Sequence, residues 1–338
     1  MKRLHGPGSR ARERLKTAMF VVAAALGPAA AWSEGDAVQR LDPGLDGIIA
    51  ANAQLQVLPD TPGSGTREGP VWIRKGGYLV YSDRSGGVEA GTGRAEGANL
   101  NKWDPVTGKV SVLLANSQSD GVAVDARGRI VLAVNFGEGK IVRVEPGGQR
   151  TVLASRYAGN PLIAPNDLVY KSDGALYFSD PSHYPPRPDD VPSFYLLKNG
   201  TLKLLSPTPA ARIGAPNGLA FSPDEKHLYV TDNPRILVYD VLPDDTIANG
   251  RVFIDMNDGK PLTAFFPDGL KVDSKGNVYN TGPGGIWISS PEGKHLGTIL
   301  EPHHPANLAF GGRDGKTLFI TSRPGLFQIQ LKVAGIVP

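Results

Sequence analysis

One supersecondary unit recurs six times along this chain, and that recurrence restricts the fold more than any other feature. Each copy opens on an oxygen-bearing residue, usually followed by Gly. It continues as a short alternating apolar segment, a turn built on Gly, Asp or Lys, a second apolar segment and a small or polar ending. The third copy is representative: Asn166-Asp167-Leu168-Val169-Tyr170, the turn Ser172-Asp173-Gly174, then Leu176-Tyr177-Phe178-Ser179-Asp180. The openings fall at Glu68, Asp120, Asn166, Asn217, Asp268 and Asn307, at intervals of 52, 46, 51, 51 and 39 residues. Repeats of about 40–50 residues made of short strands and tight turns predict four-stranded propeller blades. The expected fold is therefore all-β, a six-bladed β-propeller around a central channel. A double sandwich would also be all-β, but it gives no reason for six copies of one unit.

Composition supports this. The 42 Gly and 29 Pro among 338 residues supply the turns without reaching the share that marks disorder. The formal charge of +3 is unevenly placed: Lys2, Arg3, Arg10, Arg12, Arg14 and Lys16 stand against Glu13 alone. The apolar run Ala18 to Leu26 follows, then Ala29-Ala30-Ala31, and together these predict a secretory signal peptide over residues 1–31. Its apolar core is too short to span a bilayer, so no stable membrane insertion is expected after cleavage. Removing a leader of +5 from +3 leaves −2 on a mature chain of 307 residues, which gives no reason to seek nucleic acid. The expected location is outside the cytoplasm, periplasmic or secreted, with a linker over 32–51 and the propeller over 52–338. Within it, Asn52 to Leu58 is expected to add to the last blade and close the ring, with Leu326 to Leu331 as a half-buried strand of that blade. There is no cysteine, which excludes disulfides, thiolate metal sites and a Cys nucleophile.

A residue at the same phase of every blade lies on one ring around the axis. Carboxylates gathered in a channel repel one another and lose hydration unless a cation compensates them. Oxygen ligands without thiolate select a hard divalent ion, Ca²⁺ before Mg²⁺ or Mn²⁺, with Zn²⁺ also admissible. The competing explanation is that Asn-Gly and Asp-Gly simply form turns.

Four segments carry a family likeness: Thr66-Arg67-Glu68-Gly69-Pro70-Val71-Trp72, Ala164-Pro165-Asn166-Asp167-Leu168, Pro216-Asn217-Gly218-Leu219-Ala220-Phe221-Ser222-Pro223-Asp224 and Phe266-Pro267-Asp268-Gly269-Leu270. In this order, with Asn307-Leu308-Ala309-Phe310-Gly311-Gly312 near the end, they resemble the SMP-30/gluconolactonase/LRE-like family from about Thr66 to Leu331. The resemblance implies a six-bladed propeller with a divalent metal on Glu68, Asn217 and Asp268, and Asn166 completing the shell or touching substrate. It implies metal-assisted hydrolysis of a small-molecule lactone or related ester, with Asp268 as general base and Asn166 and Asp120 orienting the substrate. Animal members acting on aldonolactones carry Arg two residues before the third-motif Asn, where this chain has Ala164, so a sugar lactone is not the expected substrate.

Three further segments bear on the chemistry. His183, in the Pro-rich stretch Asp180 to Pro186, is a candidate substrate contact at the channel mouth, and His303-His304 lies beside the sixth opening. The Gly-rich stretch between Gly86 and Gly97 has no following helix pattern to serve a phosphate and is expected to be a loop. No Gly-x-Ser-x-Gly elbow occurs. Two alternatives to the hydrolase remain: a ligand- or protein-binding propeller with a structural metal, and a strictosidine-synthase-like or phosphotriesterase-like propeller.

Overall fold

Each repeat folds as an up-and-down meander because its apolar segments alternate and its turns fall on Gly, Asn or Asp. A computed structural model describes residues 37–60, 65–84, 98–135, 139–183, 187–205, 216–257, 267–301 and 303–337. The predicted signal peptide and the Gly-rich stretch 86–97 lie outside these residues. The first blade consists of Arg67–Ile73, Tyr78–Asp83, Asn99–Asp104 and Lys109–Leu114. The second runs through Ser119–Val124, Ile130–Val134, Lys140–Val144 and Arg150–Ala154. The third has Leu168–Tyr170, Leu176–Asp180, Ser193–Lys198 and Thr201–Leu204, and the fourth Pro216–Phe221, His227–Asp232, Arg235–Val241 and Ile247–Asp255.

The last two blades borrow from the N-terminal side. Leu270–Val272, Val278–Gly282, Gly285–Ser289 and His295–Leu300 make the fifth blade, and Val38–Arg40, inside the expected linker, pairs antiparallel with its outer strand. A short 3-10 turn, Pro43–Gly47, capped by Asp42, follows it. In the sixth blade, His304–Gly311, Thr317–Arg323 and Gly325–Gln330 are joined by Gln56–Val57, with Gln56 opposite Gln328 and Val57 opposite Phe327. The ring therefore closes with an N-terminal strand on the last blade, as the Asn52 to Leu58 reading anticipates.

The core is divided among the six blade interfaces. Successive side chains of an inner strand face opposite neighbours: Val71 packs with Val80, Val122 and Leu132 toward the second blade, while Trp72 packs with Leu79, Ala309 and Phe319 toward the sixth. Trp72 and Phe319 stack 5.4 Å apart at 8°, an aromatic contact worth about 0.5–1.5 kcal/mol beyond its area. Phe178 and Leu168 fill the interface of the second and third blades, and Phe194 and Phe221 that of the third and fourth. Val238 and Leu270 bridge the fourth and fifth, and Tyr279 and Phe310 the fifth and sixth, the latter meeting edge to face at 5.1 Å. With every interface apolar, burial itself favours closure.

Candidate active site

Every inner strand begins at one end of the channel, and the second strand of the blade returns to that end. Where the inner strand starts, its register with the second strand slips, between Glu68 and Val71, Ser119 and Val122, and Pro216 and Leu219. Bulges of this kind re-aim a side chain, and here they fall at Glu68, Asp120 and Asn217, whereas Asn166 and Asp268 lie just ahead of their inner strands. Glycine follows four of the ring residues because adjacent strands approach closely: a Cβ on Gly121 would stand 2.4 Å from the Asn166 carbonyl oxygen, and one on Gly218 2.5 Å from that of Asp268.

Hydroxyl groups at the end of the second strands hold these positions. Thr231 Oγ1 accepts from the Gly218 N–H at 2.6 Å and donates to the Asp268 carbonyl at 2.8 Å. Thr281 Oγ1 accepts the Asp268 N–H at 2.7 Å. Asp268 is thereby fixed through both peptide groups that flank its Cα. Glu68 is anchored through its neighbour: fully buried Arg67 bonds Asp60 at 2.7 Å and Asp83 at 3.0 Å, and Tyr81 donates to Asp60 at 2.6 Å. Buried Asp180 accepts from the Ile163 and Ala164 amides at 3.0 and 2.6 Å, shaping the loop that carries Asn166.

The site gathers three buried carboxylates, Glu68, Asp120 and Asp268, which are 3%, 1% and 6% exposed. Burial, and then repulsion from Asp268 and Asp120, holds the Glu68 carboxyl well above its ordinary value. Burial also raises Asp120 and pushes Asp268 up to about 7. Asp120 Oδ2 accepts from Arg84 at 2.6 Å, from Asn166 Nδ2 at 3.2 Å and from Asn135 Nδ2. Arg323 Nη2 donates to Asp268 Oδ2 at 3.1 Å and lies 3.8 Å from Glu68 Oε1. Glu68, Asp120, Asn166 and Asp268 thus meet in one network of direct contacts and mutual electrostatic influence. Asn217 stands at the same phase, one residue ahead of Gly218.

Two readings of the sequence change here. The sixth opening is out of phase by one: Gly121 N–H bonds the Asn166 carbonyl, Gly218 the Asp268 carbonyl, and Gly269 the Ala306 carbonyl. Ala306 therefore stands at the sixth ring position, and Asn307 takes the place glycine has elsewhere. Asp167 takes that place in the opposite blade, and the two meet across the axis, Asn307 Nδ2 to Asp167 Oδ2 at 3.4 Å, with Lys271 Nζ 3.8 Å from the same oxygen. His183 is occupied within its own loop, with Nδ1 2.5 Å from Asp190 Oδ1 and its amide donating to Asp190 Oδ2. No contact joins it to the ring among the described residues.

The donor set suits a hard cation. Among the described residues no three His, Asp or Glu side chains form a metal-ligating cluster, so the candidate set mixes carboxylate with carboxamide. Among the described residues, three buried side-chain oxygens of the set, Asp268 Oδ1, Asn217 Oδ1 and Asp120 Oδ1, and one beside it, Asn135 Oδ1, meet no hydrogen-bond donor. Buried acceptors without donors are costly, and oxygens of this kind beside repelling carboxylates have the chemistry of ligands to a divalent ion.

The fold and channel define a class, the six-bladed propellers with an oxygen-lined site at one mouth. Within that class the chain belongs to the SMP-30/gluconolactonase/LRE-like family, whose model matches residues 66–323. It is 31% identical over 328 residues to the gluconolactonase of Zymomonas mobilis, covering 88% of this chain and 87% of that protein. It is 26% identical over 267 residues to pentonolactonase XacC of Haloferax volcanii, covering 76% of this chain and 81% of that one. A solved gluconolactonase of Xanthomonas campestris superposes with a TM-score of 0.74 at 30% identity, over 90% of this chain and 99% of that one.

Proposed function

We propose that this protein is a lactone hydrolase whose ring at the channel mouth holds a divalent metal, Ca²⁺ in first place, on Glu68, Asn217 and Asp268, with Asn166 beside them. The observation that carries this is the set of donorless buried oxygens next to carboxyls whose pKa values burial raises, which favours a cation that would compensate their charge. What a bound divalent ion supplies is polarisation of the lactone carbonyl and relief of the charge that builds on its oxygen. The chain's own residues do the rest. Asp268, fixed by Thr231 and Thr281, takes the proton of the attacking water. Asn166 and Asp120 orient the substrate from the adjoining sector. His183, held by Asp190, would reach substrate only through its other ring nitrogen.

The substrate is proposed as a lactone without naming a sugar, because Ala164 at the third motif offers only a buried methyl group where animal aldonolactonases present Arg. Export is proposed as well, on the charge and apolar pattern of residues 1–31. Elemental analysis of the purified protein, then a pH-stat screen of γ- and δ-lactones before and after chelation, tests the reading. Proton release that stops on chelation and returns with Ca²⁺ is expected. Bound metal with no lactone or ester opened would favour a binding propeller instead.

A further inference from the structure

One residue per blade, just past the second strand in the first five blades and its last residue in the sixth, stands at the rim of the site: Arg84, Asn135, Pro181, Asn233, Pro283 and Arg323 in blade order. Two of the six are cations, and they sit on neighbouring blades, the first and the sixth. Both guanidiniums reach inward to buried carboxylates, Arg84 to Asp120 and Arg323 to Asp268 and Glu68. Their own side chains stay 21% and 48% exposed, whereas the carboxylates they hold are at most 9% exposed. A molecule reaching the ring past this sector therefore passes along two arginines.

Charge decides what such a molecule should carry. With the carboxyls ionised, Glu68, Asp120, Asp268 and neighbouring Asp167 stand against Arg84, Arg323 and Lys271, which leaves −1, and a divalent cation would make the site +1. Arg84 pairs with the second-blade member of the ring and Arg323 with its first- and fifth-blade members, so the two guanidiniums border one ring from adjoining blades. Arginine presents a planar fork suited to carboxylate, sulfonate or phosphate oxygens.

We infer that the preferred lactone carries an anionic substituent, and that Arg84 and Arg323 receive it at the rim between the first and sixth blades. The inference rests on the hydrolytic reading above and names the substrate class for it. It differs from a role for these arginines as mere counter-ions to the ring, which would treat charged and neutral substrates alike.

The test uses the metal-loaded protein and two ring mimics that no hydrolase opens, tetrahydrofuran-2-carboxylate and its neutral carboxamide. Calorimetry gives the ratio of their dissociation constants, and the ratio is compared with Arg84→Gln and Arg323→Gln, each confirmed folded by its melting transition. Arg323→Lys serves as a second variant that keeps charge and loses the fork. The wild type should favour the carboxylate by about tenfold or more, falling toward parity in either Gln variant and partly kept in Arg323→Lys. Equal binding by the wild type overturns the inference. So does a preference that survives both Gln variants, since the carboxylate would then be bound by the ring. Because binding is read without turnover, failure of hydrolysis on every lactone would count against the hydrolase reading and leave this ratio to be judged separately.

Discussion

Asp268 is held by four hydrogen bonds through its backbone and side chain, while among the described residues its other carboxyl oxygen meets no donor. A carboxyl raised to about 7 must lose its proton before it ligates a cation. Divalent-ion affinity, measured by titration calorimetry, should therefore rise with pH up to about 7 and level above it; a flat profile would remove Asp268 from the ligand set. Glu301 offers a separate check, away from the ring. It is 4% exposed, and burial, outweighing the His303 amide that donates to it, pushes its carboxyl from an ordinary 4.5 to about 7. The folded state then binds more protons than the unfolded one between those values, so stability falls as pH rises through that window. Glu301→Gln should stabilise by up to about 3 kcal/mol near pH 8 and by little near pH 4, read from denaturation midpoints. Glu68, Asp120, Asn166, Asn217 and Asp268 were legible in the sequence because one repeat phase places them all. Arg84 and Arg323 were not, because they stand where the second strands finish; only the antiparallel return of those strands brings them to the same mouth. The shift from Asn307 to Ala306 also escaped, since Asn307 is the polar residue and phase follows the backbone.

At the scale of elements, the ring depends on how each inner strand begins and how closely the next blade approaches. The small or polar endings of the second strands were visible as Ser179, Thr231, Thr281 and Thr321, but their purpose appears only in three dimensions, where Thr231 serves two peptide groups of different blades. Thr231→Val leaves the Gly218 N–H and the Asp268 carbonyl with one fewer partner. It should cost about 1–3 kcal/mol and slow turnover through displacement of Asp268. Thr321→Val, whose hydroxyl meets only the Asn307 carbonyl at 3.2 Å, should cost less, and equal effects on turnover would sink this distinction. Gly121→Ala would press a methyl group against backbone at 2.4 Å and should destabilise by about 1–3 kcal/mol in chemical denaturation. The strand Val38–Arg40 was not legible: three residues carry too little periodicity, and its pairing depends on an outer edge some 260 residues later, Val38 facing Ile299.

The whole molecule turns six interfaces into one closed ring, with its chemistry at the end where inner strands begin. The fold was legible because the blades repeat and each interface needs the same alternation of apolar faces; specificity was not, because it lies in rim residues that break the repeat. The pairing of Gln56–Val57 with the last blade joins the ends of the ring, and metal at the mouth should add to its stability by mass action, about 2.7 kcal/mol at a hundredfold excess over its dissociation constant. A chelated sample that melts unchanged would indicate that no such ion is bound. The central claim is that this channel opens lactones with Asp268 as the base, and its most direct test is the initial rate of lactone opening by the metal-loaded wild type and by Asp268→Asn in a pH-stat. The account predicts a loss of about a hundredfold or more in the variant at neutral pH; a variant that opens the same lactone at the wild-type rate would contradict it.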